Sequence, residues 1–545
     1  MSHRCNTTTS TELVHLQPPP NLAPNSQLSF NKLKGWLGEC HSKHTACRSF
    51  QVEYMPRRLL EMTASAEAPR TRLCTDPPIA PYAALSYCWG RDQLSKTTRE
   101  RLEQYRRDIP FRELPKTIRD AAKVTLAIGL KYLWVDALCI IQDDDEDKRE
   151  QISKMCSVYR GAFFTIAASI ATTADDGFLH PRIQYRPTKL AARTDDNVFT
   201  EVLLSPVYRR LDVVGSPLYL RGWTFQETQL STRIAAYGER EMTLCCLEDA
   251  HIDGGTGRHV VGPTYRGVLD PGNLTFRSSG HPHSWARIIE TYSGRSLSVE
   301  SDKLPAIAAL AEEYSLTKAV TDYFAGIWRE GFLLYCLWYV PLPPMQRPPS
   351  TYVAPSWSWA SMVEPISYRW TDIISLTDIE ISCVLLDMGT TLASSHRFGI
   401  VTGGFMSIRA RTRELALFGF DPDRTFGHPS LQAAALTAFH STDAPNEDVR
   451  IECYMDIPTD WAAKTHVPLV GVEICTVGNG KDLVDVEICT DRYETETKAF
   501  GLVLEQIDAD SYRRVGLLIV LDVDNRDYWF EDGLEPALWR DMLIK

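Results

Sequence analysis

Ser86, Trp89, Asp136, Trp223 and Glu227 are the residues whose types and positions suit chemistry best. Ser86 and Trp89 stand at and just beyond the end of the apolar run Tyr82 to Tyr87 (YAALSY). Asp136 interrupts the apolar run Tyr132 to Ile141 (YLWVDALCII). Glu227 follows Trp223 by four residues, which puts both on one face of a helix. Open α/β sheets bind ligands at the C-terminal ends of their strands. Ser86, Trp89 and Asp136 therefore stand where a ligand would sit, and Glu227 joins them if its helix packs at that edge. There a carboxylate can balance positive charge, an indole can stack on a flat ring, and a hydroxyl can bond to a polar ligand atom. Each residue also has a plainer reading. Glu227 pairs with Arg221 or Arg233. Asp136 caps a loop or meets an arginine, because a buried carboxylate needs a partner. Trp89, Trp134 and Trp223 fill core, and Ser86 bonds to backbone in a turn.

Two further clusters bear on metals. Cys40, His44 and Cys47 form C-x3-H-x2-C, with His41 as another possible ligand. Zinc sites usually show clearer paired spacing, so a helix with buried cysteines is expected here, and no metal. Asp143 to Asp147 is acidic, but it lacks the glycine and distal glutamate of a calcium loop. A solvated loop is expected. The chain has no G-x-S-x-G, H-E-x-x-H, G-x-x-x-x-G-K-[ST] or G-x-G-x-x-G. Serine hydrolase, zinc protease, P-loop NTPase and Rossmann dehydrogenase chemistry thus lack support.

The elements that must position these residues follow from periodicity. Tyr82 to Tyr87, Tyr132 to Ile141 and Phe163 to Ser169 read as buried strands. Leu114-Pro115 opens a helix with Pro near its first turn, and Gly129 closes it. Ile152, Met155, Cys156 and Tyr159 mark the next helix. Strands alternating with helices predict an α/β domain with a parallel sheet and right-handed crossovers. Residues 285 to 339 read as mostly helical. Pro355 to Ala360 (PSWSWA) is a compact aromatic knot. Beyond about residue 380, alternating patterns predict a mostly antiparallel β region. The near-repeat Val-Glu-Ile-Cys-Thr at 472 and 486 reads as two strands of one hairpin.

With 545 residues, 44% of them hydrophobic, the chain suits two to four packed units. A net charge of -12 argues against nucleic acid as a partner. The 14 cysteines are dispersed, and several sit in apolar runs (Cys139, Cys156, Cys336, Cys383). Buried free thiols in a reducing compartment are expected. The first residues are polar and show no secretory signal, and no stretch is long and apolar enough to span a membrane. A cytoplasmic location is expected.

The order of motifs resembles one family. Ala84 to Gly90 (ALSYCWG) looks like the opening motif of the HET domain, named for heterokaryon incompatibility in fungi. Leu114 to Ala121 (LPKTIRDA), Trp134 to Gln142 (WVDALCIIQ), Met155 with Tyr159 and Ala162, and Arg221 to Glu227 (RGWTFQE) look like its successive elements. Ser231 and Arg233 follow that closing motif. Asp302 to Ile307 (DKLPAI) and Ala354 to Ala360 (APSWSWA) resemble the usual downstream region. Ile141 departs from the pattern, standing where the family often has Asn. The HET fold in turn resembles TIR domains, flavodoxin-like α/β sandwiches, of which some cleave NAD and others act only as adaptors. By that resemblance Trp223 and Glu227 match the TIR helix in which a Trp precedes the catalytic Glu by four residues.

The resemblance implies a flavodoxin/TIR-like parallel sheet with helices on both faces, then a helical region and a mostly β C-terminal region. The expected division is a disordered segment at 1–30, a helical or extended stretch at 31–80, the HET domain at 81–250, a mostly helical region at 251–380 and a β-rich domain at 381–545. It implies an effector of incompatibility and programmed cell death. As an enzyme it would hydrolyse NAD at the nicotinamide–ribose bond. Glu227 would be catalytic, Ser86, Trp89, Asp136 and Trp223 would bind the nucleotide, and no cofactor would be tightly held. As an adaptor it would self-associate and recruit a death machinery without chemistry. Both readings imply self-association through the HET domain and allow an incompatibility partner protein.

Overall fold

The computed structural model describes residues 21–64, 69–90, 93–182, 188–193, 199–204, 216–253, 283–341, 351–368, 379–415, 435–437, 449–456, 469–477, 496–522 and 538–545. Two compact units divide the chain, Met1–Leu274 and Thr275–Lys545.

The first unit opens with helix α1 (Gln27–Lys43), where Phe30, Leu33, Leu37 and Cys40 form a buried stripe. Ser26 caps it by accepting the Ser29 N–H. The helix begins inside the stretch expected to be disordered; residues 1–20 lie outside the described residues. A short helix α2 (Thr45–Phe50) follows.

An eight-stranded sheet carries the unit. Its strands are β1 (Arg58–Thr63), β2 (Arg70–Thr75), β3 (Tyr82–Ser86), β4 (Tyr132–Trp134), β5 (Phe164–Ala167), β8 (Arg233–Tyr237), β9 (Met242–Cys246) and β10 (Ala250–Ile252). Strands β6 (Thr188–Arg193) and β7 (Phe199–Leu204) form a separate hairpin. The order across the large sheet is β10-β9-β8-β5-β3-β4-β1-β2. The four middle strands are parallel. Antiparallel pairs extend both sides. Every residue of β3 is buried, as a central parallel strand requires.

Parallel neighbours need crossovers, and these supply the helices. After a short helix α3 (Leu102–Arg107), helix α4 (Lys116–Ile128) joins β3 to β4. Helices α5 (Asp136–Cys139), α6 (Asp145–Ser153) and α7 (Met155–Gly161) lead to β5, and α8 (Trp223–Leu230) leads to β8. The first crossover runs to one side of β3 and the later ones to the other. By the right-handed rule for such connections, α4 and the α7–α8 pair belong on opposite faces. Helix α1 packs on α4, and α7 packs on α8. Gly129 ends α4 with φ 100°, as expected of a glycine cap.

Three local expectations need correction. The run Tyr132 to Ile141 is not one strand: after Trp134 it becomes the helical turn α5. Thr97 holds that turn, donating its hydroxyl to Leu138 O at 2.6 Å and its N–H to Ala137 O at 3.0 Å. A buried turn is as apolar as a buried strand, so periodicity alone does not separate them. The acidic stretch Asp143 to Asp147 is not a solvated loop. Asp144 caps α6, and buried Asp147 accepts from Arg58 Nη2 and from the Ile141 N–H. The helix read through Ile152 and Tyr159 is broken at Lys154, which leaves Ile152 42% exposed.

In the second unit, helices His283–Ser293, Pro305–Lys318 and Phe332–Tyr335 surround an aromatic core. Trp357 and Trp359 of PSWSWA are fully buried. The Trp359 indole donates to Gly326 O at 3.0 Å. Gly326 has φ 93°, and a side chain there would collide with the same indole. The following strands are almost all antiparallel. Val401–Leu415, Leu469–Val477, Glu496–Gln506, Ser511–Asp522 and Leu538–Ile544 pair in a closed ring. Alternate residues such as Met406, Ile408 and Ala410 are buried. The second Val-Glu-Ile-Cys-Thr, at 486, lies outside the described residues. The first lies in the strand Leu469–Val477, which pairs with Glu496–Gln506. Among the described residues no helix is long and apolar enough to cross a membrane.

Candidate functional site

The C-terminal ends of β3 and β4 meet the flank of α8. Ser86, the last residue of β3, is fully buried and donates its hydroxyl to Glu227 Oε2 at 2.5 Å. Glu227 sits in the second turn of α8 and is 7% exposed. Its backbone carbonyl accepts from Ser231 Oγ at 2.7 Å, and Ser231 in turn meets Thr165 of β5 at 2.6 Å. The helix is thus moored to the sheet at the level of the carboxylate.

A second pair lies alongside. Trp89, just beyond β3, donates its indole N–H to Asp136 Oδ2 at 2.7 Å. The other oxygen of Asp136 accepts the Ala137 N–H at 2.7 Å. The aspartate therefore braces the start of α5 against the loop after β3. Arg58 fixes this turn from beneath, donating Nε to Cys139 O at 2.7 Å while pairing with Asp147.

The electrostatics couple the two carboxylates. Burial, reinforced by the charge of Asp136, pushes Glu227 up from 4.5 to about 7. The Ser86 bond, the Arg221 guanidinium and Tyr159 act in the opposite direction. Burial also raises Asp136, against the Trp89 and Ala137 hydrogen bonds and Arg221. Arg221 lies two residues before α8 and donates to Tyr87 O at 2.6 Å. Burial lowers its pKa, but Glu227, Cys88 and Asp136 outweigh that and raise it. Burial holds the Cys88 thiol in its neutral form. A carboxyl group poised near neutrality, with a hydroxyl on it and a cation near it, can hold or release a proton at near-neutral pH.

Residues 82–227 match the family model described as Heterokaryon incompatibility protein (HET). The chain carries a HET domain. It matches no curated protein and no solved structure.

Within the HET domain the expected residues fall into place unevenly. Ser86 and Glu227 touch, and so do Trp89 and Asp136. Trp223 is the first residue of α8, half-buried, one turn before Glu227. Trp134 is core, packed edge-on against Tyr159. Arg233 does not serve Glu227: it donates to Cys40 Sγ, Gln51 Oε1 and Phe163 O. Sequence reading missed Tyr87 and Tyr159 as site residues. Tyr87 donates to Gln93 Oε1 at 2.9 Å, and Tyr159 OH donates to Leu85 O at 3.3 Å. Both tyrosines lie in motifs that carried the resemblance, which was the available signal.

Proposed function

We propose that this HET domain is an effector of fungal incompatibility and cell death that hydrolyses NAD between nicotinamide and ribose. The observation that carries the reading is the Ser86–Glu227 hydrogen bond at the end of the central parallel strand. Strand order supports it: β4-β3-β5-β8 follows the 2-1-3-4 sequence of flavodoxin-like sheets. In such sheets the ligand crevice opens where the order reverses, here beside β3.

In the proposed reaction the bond from ribose C1′ to the nicotinamide nitrogen breaks, and its electron pair leaves with nicotinamide. The leaving group is a neutral pyridine, so it needs no proton. Ionised Glu227 stabilises the positive charge on the sugar. Water adds at C1′ and loses its proton, giving ADP-ribose. Trp89 or Trp223 stacks on a ring, Ser86 bonds a ribose or phosphate oxygen, and Asp136 holds Trp89. NAD is substrate, and no tightly bound cofactor is invoked.

One observation favours a second reading. Ser86 is fully buried and Glu227 nearly so, which suits a structural polar centre in a self-associating adaptor. The full chain incubated with NAD at high concentration, with free nicotinamide followed, separates the two. Release that disappears in a folded Glu227→Ala chain supports hydrolysis. No release, even when the chain is forced to oligomerise, leaves the adaptor.

A further inference from the structure

We propose that Cys40, His44, Cys47 and Cys246 bind a zinc ion that fastens helices α1 and α2 to the β9–β10 end of the sheet. The ligand atoms of these four side chains all lie within 4.8 Å of one another. Zinc bonds of about 2.3 Å to sulfur and about 2.0 Å to nitrogen put tetrahedral ligand atoms about 3.5–3.8 Å apart. Small side-chain movements therefore close the shell. His44 Nδ1 is already 3.2 Å from Cys246 Sγ, across 202 residues of chain. Three thiolates and one imidazole leave no open position, which is the make-up of a structural site, not a catalytic one.

The surroundings are built for thiolates. Arg233 is fully buried and directs Nε at Cys40 Sγ from 3.1 Å. Its other described partners, Gln51 Oε1 and Phe163 O, are neutral. A buried guanidinium needs an anion. Zinc with three thiolates carries one net negative charge, which Arg233 balances. From the other side the Asp249 N–H points at Cys246 Sγ from 3.3 Å. Hydrogen bonds of this kind orient metal ligands and tune their basicity.

The frame is also held independently of the ligands. Glu248 accepts the Ala46 N–H in the first turn of α2 at 2.6 Å. Trp36 of α1 stacks on His251 of β10 with centroids 5.3 Å apart. Lys32 donates to Asp253 O at 2.8 Å. His41, the fourth ligand that spacing suggested, packs on Phe163 instead. Cys246 takes its place. Its neighbour Cys245 points into a different apolar cluster, as alternation along a strand requires. None of the four ligands lies within residues 82–227, so the inference is independent of NAD hydrolysis.

The test uses the full chain, purified without a metal-binding tag or chelator. Its zinc content is measured by elemental analysis, and cobalt is then exchanged in. One zinc per chain, with the thiolate charge-transfer and intense visible bands of tetrahedral cobalt, is the expected result. Cys246→Ser should abolish both, while Cys245→Ser keeps them. In case Cys246→Ser does not fold, maleimide labelling of the wild-type chain gives a second reading. Cys40, Cys47 and Cys246 should become reactive together when zinc is removed, while half-buried Cys74 and Cys156 react before and after. A chain that holds no zinc and takes up no cobalt would overturn the proposal. So would a disulfide between any two of the three cysteines in the freshly purified protein.

Discussion

Replacing Glu227 by glutamine isolates the electrostatic burden of the site. The carboxyl group is lifted from 4.5 to about 7, chiefly by burial. A raised folded value favours the fold while the group is protonated in both states, below about 4.5. That contribution is lost as pH rises through about 7. Each pH unit in that window is worth about 1.4 kcal/mol. Charging this one side chain therefore lowers the stability of the first unit by about 3 kcal/mol by pH 8. Glutamine has nearly the same shape, keeps an acceptor for the Ser86 hydroxyl and carries no charge. Glu227→Gln should match wild type near pH 4.5 and exceed it by about 3 kcal/mol at pH 8. Titrating groups that do not feel Glu227 cancel in the difference, while Asp136, whose charge acts on Glu227, adds to it. The assay is urea unfolding at each pH with hydrogen-exchange labelling of peptides from β3 and β5, because two compact units need not unfold together. Parallel pH profiles for the two proteins would refute the reasoning, since they would mean that Glu227 titrates alike folded and unfolded.

Further outcomes follow from the same contacts. Arg58→Met strands the buried Asp147 carboxylate and should destabilise the first unit by about 3–5 kcal/mol; a change below 1 kcal/mol in urea unfolding would contradict this. Trp89→Phe removes the indole donor from Asp136 and should lower stability at neutral pH by about 1–3 kcal/mol, read as a fall in melting temperature that shrinks in acid. If nicotinamide is released, the rate should climb as pH rises through about 7, because the carboxylate form is required; a flat profile would remove Glu227 from the reaction. In the second unit, Arg514 is fully buried, pairs with Asp456 and lies 3.4 Å from the Trp338 ring centroid. Arg514→Met should speed hydrogen exchange across Val449–Met455 and Glu496–Gln506, the strands that pair with its own, and unchanged exchange would show that the pair is dispensable.

The central strands were legible because a parallel strand covered on both faces must be apolar throughout, as β3 and β5 are. Gly129 was legible because the backbone at a helix end needs its left-handed conformation. The turn after β4 was not, since Ala137, Leu138 and Cys139 are as buried there as strand residues would be. Nor were the sheet's outer strands: β1 and β2 mix charged and apolar residues in short segments, which gives no decisive period. At the site, types and strand ends were readable, but partners were not. Ser86 and Glu227 are separated by 141 residues, and no local pattern connects them. The plainer reading offered Arg221 or Arg233 as a partner: the charge of Arg221 does act on Glu227, Arg233 is turned elsewhere, and the hydroxyl of Ser86 on the central strand supplies a hydrogen bond.

The sheet order also bears on how the protein is made. The family match ends at residue 227, yet the fourth parallel strand begins at Arg233, and β9 and β10 follow it. On the opposite side, β1 and β2 can pair with each other early, but they must wait for β4 before they join the rest of the sheet. The first unit can therefore finish its sheet only once Ile252 has emerged, and its assembly is a late, largely all-or-none event in translation. A truncated transcript ending at the family boundary would yield a polypeptide with an open edge at β5, the kind of edge through which unfinished chains aggregate.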